Sequence, residues 1–212
     1  VDDGVLVDFS MGYGLHYDAR KTGLNESGGL LVRFDQDFSG LAGDIDATRT
    51  AVFALAEKTI LNDAVSLRII GEGGVYERRN GNSRLTERFF ARGKLRGFEN
   101  NGIGPRDSGA DTDALGGNYF ASVRMETDFP LGLPEEYGIS GGAFYDMGSV
   151  WGLDDTAGVN TVDDDFHLRS AAGVSLFWST PIGPLRFNWS RAVKKQSYDQ
   201  VQNFDFTLST KF

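Results

Sequence analysis

Apolar and polar side chains alternate along most of this chain over stretches of about ten residues, the spacing of strands with one face in an apolar medium and the other in a wet one. The pattern is clearest from Tyr119 to Phe129. Tyr119, Ala121, Val123, Met125, Thr127 and Phe129 share one side, and Phe120, Ser122, Arg124, Glu126 and Asp128 share the other. The first side suits lipid and the second a watery lumen.

The next strand is expected from about Tyr137 to Trp151, with Tyr137, Ile139, Gly141, Ala143, Tyr145, Met147 and Trp151 outward and Ser140, Phe144 and Asp146 inward. From His167 to Ser179, Leu168, Ala172, Val174, Leu176 and Trp178 oppose Arg169, Ser175 and Ser179. The run Thr180-Pro181-Ile182-Gly183-Pro184 is a turn rich in breakers. Beyond it Leu185, Phe187 and Trp189 alternate with Arg186, Asn188 and Ser190. A last strand, Val201 to Phe212, sets Phe204, Phe206, Leu208 and Phe212 against Asn203, Asp205, Thr207, Ser209 and Lys211.

The first half repeats the theme less cleanly. Val5, Val7, Phe9, Met11, Tyr13 and Leu15 alternate with Asp8, Ser10 and two glycines; Leu30, Val32 and Phe34 alternate with Arg33 and Asp35. Ala51, Phe53 and Leu55 follow, then Val65, Leu67 and Ile69 with Arg68 between. Residues 48–60 are Ala-rich and also fit a helix, but the alternation on both sides favours a strand. The total is about nine strands, joined by connections that alternate between short (130–136, 180–184) and longer and polar (152–166, 191–200). The longest, 77–116, is rich in Gly, Arg and Asn, and a structureless stretch of that length calls for a function. The fold class expected is all-β, an antiparallel transmembrane barrel. Nine strands do not close a bacterial single-chain barrel, where counts are even, and an open sheet leaves unpaired backbone in lipid. The chain is therefore expected to be part of a barrel.

Composition adjusts this picture in a few places. Among 212 residues, 40% are hydrophobic and 12% aromatic, with 28 Gly and 5 Pro, a balance suited to strands and turns. No apolar run approaches the roughly 18 residues of a membrane helix, and the mean hydropathy is negative, as it is in barrels whose strands are half polar. The formal net charge of −9 argues against a nucleic-acid partner, and the absence of cysteine removes disulfides and thiolate metal sites. Val1-Asp2-Asp3-Gly4 carries no basic and apolar leader; since a barrel must be exported, a mature segment is expected.

An ordered set of motifs then carries a resemblance. Leu95-Arg96-Gly97-Phe98 is followed by Ile103-Gly104-Pro105-Arg106-Asp107, Ala114-Leu115-Gly116-Gly117-Asn118, Phe144-Tyr145-Asp146-Met147-Gly148-Ser149-Val150-Trp151, Thr180-Pro181-Ile182-Gly183-Pro184-Leu185 and a terminal Phe212. In this order and spacing the set resembles the BamA family of outer-membrane β-barrel insertases, over essentially the whole chain and most strongly over 85–212. The TamA translocation proteins share parts of it, while Lys194-Lys195, Tyr198-Asp199 and the ending Thr210-Lys211-Phe212 look more like BamA. The resemblance implies a sixteen-stranded barrel preceded by POTRA domains. Residues 1–212 would then be its C-terminal portion, about nine strands, without the POTRA domains and first strands, and 77–116 a long extracellular loop folded into the lumen. It further implies a cell outer membrane location in a Gram-negative bacterium and non-enzymatic insertion of nascent outer-membrane proteins through a lateral gate. No cofactor is implied. The partners would be those clients, outer-membrane lipid and accessory assembly lipoproteins, the last mainly through the absent POTRA domains.

Two sites follow. An Arg in a lumen loop needs acidic partners, because burying its charge alone is costly. The strand phasing places Glu126 and Asp146 on the lumen side, and the resemblance implies that Arg96 pairs with both, with Gly97 turning tightly against the wall and Phe98 packing beside it. An ordinary surface Arg-Gly turn is the alternative. The second site is the last strand, Phe204, Phe206, Leu208, Ser209 and Phe212, which resembles both the β-signal of barrel clients and one side of a lateral gate; an ordinary closing strand has the same pattern. Ser209 stands where the family often has Gly, which puts a kink there in doubt.

Other features take plainer readings. His16 and His167 are isolated, so no metal site is expected. Asp154-Asp155 and Asp163-Asp164-Asp165 read as a solvated outer loop rather than a Ca²⁺ site. Tyr119, Tyr137, Trp151 and Trp178 suit interfacial girdles or the core of a soluble sandwich. No nucleophile elbow, P-loop or dinucleotide-binding glycine pattern is present, and no catalytic residue is assigned. The competing functions are a stand-alone outer-membrane pore or adhesin, a TamA-like barrel and a lipase-type barrel enzyme.

Overall fold

A computed structural model describes residues 7–20, 28–61, 64–107, 109, 112–156, 162–181 and 183–208. Their strands are β1 (Asp8–Asp18), β2 (Gly28–Gly43), β3 (Ala47–Ile60), β4 (Val65–Arg78), β5 (Tyr119–Pro130), β6 (Ile139–Trp151), β7 (Arg169–Thr180), β8 (Gly183–Lys194) and β9 (Phe204–Leu208). They form one antiparallel sheet in sequence order, with no pairing of β1 to β9 among the described residues. The first eight strands run 11–16 residues, long enough to cross a bilayer core, which needs about 9–11. The Ala-rich segment is strand, paired along its length with β2 and β4. Neighbouring ladders that already alternate favour extending the sheet over an isolated helix.

Expected boundaries shift at several strand ends; β8, for one, runs to Lys194, into the connection expected at 191–200. Tyr137 belongs to a 3₁₀ turn, Glu135–Tyr137, closed by left-handed Gly138 (φ 60°), so β6 starts at Ile139. β7 starts at Arg169, two residues later than expected. β9 starts at Phe204, while Val201 bridges to Phe98 instead of pairing with β8. The long connection is 79–118, since β4 runs to Arg78 and β5 begins at Tyr119.

The two sides of the sheet differ chemically. One carries large exposed apolar side chains on almost every strand, among them Met11, Leu30, Val52, Ile69, Val123, Val174, Trp189 and Phe206. A soluble monomer rarely shows so broad an apolar surface; it suits lipid. Tyr119 stacks on Trp151 at 5.7 Å at one end of the strands, and Trp178 pairs with Ile139 at the other. Phe53 and Leu55 are exceptions to the apolar-outward rule. Phe53 pairs across the ladders with Arg33 and Glu72, so Phe53 and, two residues on, Leu55 face the polar side.

The other side is covered by the connection 79–118. Its Ala91, Leu95, Phe98 and Ile103 pack with Phe120, Val150 and Ala171 of β5, β6 and β7 into a buried cluster. This core lies between loop and sheet, which is why Phe120 and Val150 are apolar residues on the side that also carries the strands' charged groups. Glu126 on β5 and Arg186 on β8 are hydrogen-bonded across that side. Strands three apart lie about 14 Å from one another in a flat sheet, so the sheet curls toward the loop.

Candidate functional site

Arg96 reaches the sheet through the turn that Gly97 makes. Gly97 has φ +89°, and a Cβ there would lie 2.7 Å from the Cβ of Ala171, closer than real contacts come. Only glycine allows both the left-handed backbone and the approach. That turn directs the Arg96 guanidinium between β5 and β6. Its Nε and Nη2 donate to the two Asp146 carboxylate oxygens at 2.7 Å each, and Nη1 donates to Glu126 at 2.6 Å. The Arg96 backbone N–H adds a bond to Asp146 at 3.0 Å. Asp146 is fully buried and the Arg96 side chain only 10% exposed. Burial works against the charge of Arg96, but Asp146 and Glu126 more than offset it and hold its pKa above the ordinary arginine value. The ring against the guanidinium is Phe144, 3.7 Å away. Phe98 points instead into the buried cluster and bridges Val201.

Glu126 serves more cations than Arg96. Arg68 donates to it at 3.2 Å from β4 and Arg186 from β8. Glu72 likewise takes Arg124 at 2.7 Å and Lys94 from the loop. Arg68, Arg124 and Arg186 fall on the polar side by alternation, but which carboxylate each meets depends on the curl of the sheet, and the sequence gives no sign of that.

A second buried pair lies at the end of the strands where the long connections meet. Arg169 (1% exposed) donates from Nε and Nη2 to Asp199 (0%) at 3.1 and 3.2 Å. Asp199 also caps the Gln196 N–H at 2.7 Å. Tyr198 donates to Asp163 at 3.1 Å, and His167 Nε2 lies 2.9 Å from both oxygens of that carboxylate. Burial, reinforced by Asp163, pushes the Tyr198 phenol up to about 12. The acidic segments around Asp154 and Asp163 are thus more than a solvated loop. Asp154 accepts from the Ser83 N–H and Asn118 Nδ2, both at 2.6 Å. Burial raises the Asp154 carboxyl, but these bonds outweigh it and hold the group below its ordinary value. Loop backbone also joins the segment before β9: Gln202 N–H donates to Gly97 at 3.1 Å and Gln200 N–H to Gly102 at 2.9 Å. Most of these residues stand in the motifs and acidic runs singled out in the sequence, but their pairing with one another was not expected.

In β9, Phe204, Phe206 and Leu208 are exposed on the apolar side. Phe204 lies 5.7 Å from Trp189 and Phe206 5.1 Å from Phe187. Asp205 faces the other way and accepts from Asn188 Nδ2 at 3.0 Å. Ser209 and Phe212 lie outside the described residues.

An Omp85 superfamily domain matches residues 2–212. The outer membrane protein assembly factor BamA of Neorickettsia risticii is 34% identical over 185 residues, 87% of this chain and 24% of that protein. BamA of Neisseria meningitidis is 32% identical over 141 residues, 57% of this chain and 18% of that protein. The chain thus spans about a quarter or less of the length of these curated relatives. The crystal structure of BamA from Haemophilus ducreyi lacking POTRA domains 1–3 matches in fold, with TM-score 0.83 at 21% identity over 98% of this chain and 43% of that one. The resemblance to BamA read from the loop and strand motifs is borne out, and so are the barrel fold and the outer-membrane location. The sheet, its apolar outer side and the domain matched over nearly its whole length agree: the chain belongs to the Omp85 superfamily.

Proposed function

We propose that this chain is part of the barrel of an outer-membrane protein assembly machine, and that Arg96, Gly97, Phe98, Glu126 and Asp146 lock its long outer loop inside the lumen. The observation that carries this reading is the buried clamp of Arg96 on Asp146 and Glu126. It fixes the connection 79–118 to the lumen wall with charges that are fully partnered. The role of the clamp is positional, since no bond is made or broken. The last strand supplies the working edge: Phe204, Phe206 and Leu208, continued by Ser209 and Phe212, form one side of a lateral gate. An edge strand offers unpaired N–H and C=O groups to an incoming strand, and pairing there gives a nascent barrel its first ladder. Clients are nascent outer-membrane proteins, and accessory assembly lipoproteins engage mainly through POTRA domains. The work is non-enzymatic, driven by strand pairing and burial in lipid.

The test is reconstitution of the full-length protein in proteoliposomes with an unfolded outer-membrane client. Arg96→Ala is expected to slow client folding severalfold, and Arg96→Lys less. Client folding at the unsubstituted rate in the correctly inserted Arg96→Ala protein refutes the lock.

A further inference from the structure

Between loop residues 85–94 and the inner side of β3–β5 lies a cleft of about 460 Å³, within the size range of ligand sites. Arg49, Arg88, Arg92 and Lys94 line it against a single lining carboxylate, Glu72. This is a local excess of positive charge in a chain of formal net charge −9. Lys94 is paired with Glu72. Among the described residues the other three have no ion-pair partner. Arg49 donates to the Glu87 carbonyl at 2.8 Å, with Asp37 opposite it in the β2–β3 ladder. Arg88 spends its donors on Ser83 and the Leu115 carbonyl and is offset by the nearby Asp154, Glu87 and Asp155 carboxylates, which leaves Arg49 and Arg92 as the cations open to a ligand. Arg92 is exposed, 5.4 Å from the Phe90 ring.

The remaining wall is aromatic. Arg49 lies 4.1 Å over Phe89 and Lys94 5.5 Å from the Phe120 ring, with Phe53 beside them. Cations held on ring faces leave both a charge and an apolar surface for a ligand. The cleft opens on the polar, loop-covered side, so the sheet itself separates it from bilayer lipid.

We propose that this cleft binds a short peptide segment carrying carboxylates beside aromatic rings. The proposal rests on the assembly reading, whose clients it narrows to a chemical class. Barrel strands supply such segments, as this chain does itself at Asp37-Phe38, Asp128-Phe129 and Phe204-Asp205-Phe206.

The test uses the full-length protein in zwitterionic nanodiscs and a labelled Asp-Phe-Asp-Phe amide, followed by fluorescence anisotropy. Binding is expected to saturate and to weaken with salt. The double substitution Arg49→Gln with Arg92→Gln is expected to lower affinity at least about tenfold, and Arg191→Gln, exposed on β8 away from the cleft, to leave it unchanged. Equal affinity in the double variant overturns the proposal, as does equal binding of a Lys-Phe-Lys-Phe amide. Displacement by short-chain phosphatidylglycerol as readily as by unlabelled peptide also overturns it, in favour of a lipid site. Client assembly is measured in parallel on the unsubstituted protein. Assembly without peptide binding removes this inference and leaves the assembly reading standing, whereas binding without assembly supports the cleft and removes the assembly reading.

Discussion

Replacing Arg96 with alanine strips Asp146 of both side-chain bonds from the guanidinium and leaves the carboxylate, 0% exposed, with the backbone N–H of residue 96 as its remaining donor in the clamp. Removing one partner of a buried pair costs about 3–5 kcal/mol, mostly because the other charge stays buried alone. Glu126 is hurt less, since Arg68 and Arg186 still reach it. The loss falls on the attachment of the loop to the sheet. It converts to between about two and four orders of magnitude in the loop's opening equilibrium, at ~1.4 kcal/mol per tenfold. Hydrogen exchange reads this directly at the Gln202 amide, whose acceptor is the Gly97 carbonyl. A double-mutant cycle with Asp146→Ala is expected to return a coupling of about 2–3 kcal/mol, because the second substitution removes the stranded charge. Additive single-mutant effects, or unchanged exchange at Gln202 in Arg96→Ala, refute the reasoning.

Three further outcomes are expected. Asp199→Asn leaves Arg169 without its carboxylate and destabilises the outer connections by about 3–5 kcal/mol, read as faster proteolysis of 195–203 in the folded barrel. Val123→Arg puts a charge on the lipid side of mid-β5 and costs about 2–4 kcal/mol at the bilayer centre, measurable by denaturant titration in bilayers; a surface loop position would show almost none of it. Acid loosens the loop at Asp154: its carboxyl lies below the ordinary 3.8 in the folded chain, so its contribution is complete above that value and lost as pH falls beneath it. Exchange at the Ser83 amide should rise over that interval, and Asp154→Asn should flatten the rise.

The strands were legible because their chemistry is local. Alternation at Tyr119–Phe129 and Leu185–Ser190 assigns each side chain to a side without knowledge of any partner. It also put Glu126 and Asp146 on the same side as the loop. What stayed hidden depends on three-dimensional shape. The side that Phe53 and Leu55 take stayed hidden because their own strand is apolar on both sides; the ladder partner Glu72 settles the phase. Phe144, rather than Phe98, covers Arg96 because adjacent strands bring it there. The acidic connections read as solvated because charge runs usually are, and nothing in sequence tells that Ser83 and Asn118 would come to Asp154. Arg186 meets Glu126 only because the sheet bends.

The loop that covers the sheet also divides it mechanically. Its bonds and packing reach β4 through Glu72, β5 through Glu126, β6 through Asp146, β7 through Ala171 and the segment before β9 through Gln200 and Gln202. A brace fastened at so many points stiffens what it spans: bending between β4 and β8 must shear several buried contacts at once. β1 carries no such fastening among the described residues, and all of its described side chains are exposed. Compliance is therefore confined to the margins of the sheet, at β1–β2 on one side and beyond β8 on the other. Any widening of this wall proceeds by a stiff plate swinging on soft borders, and the plate carries the loop with it.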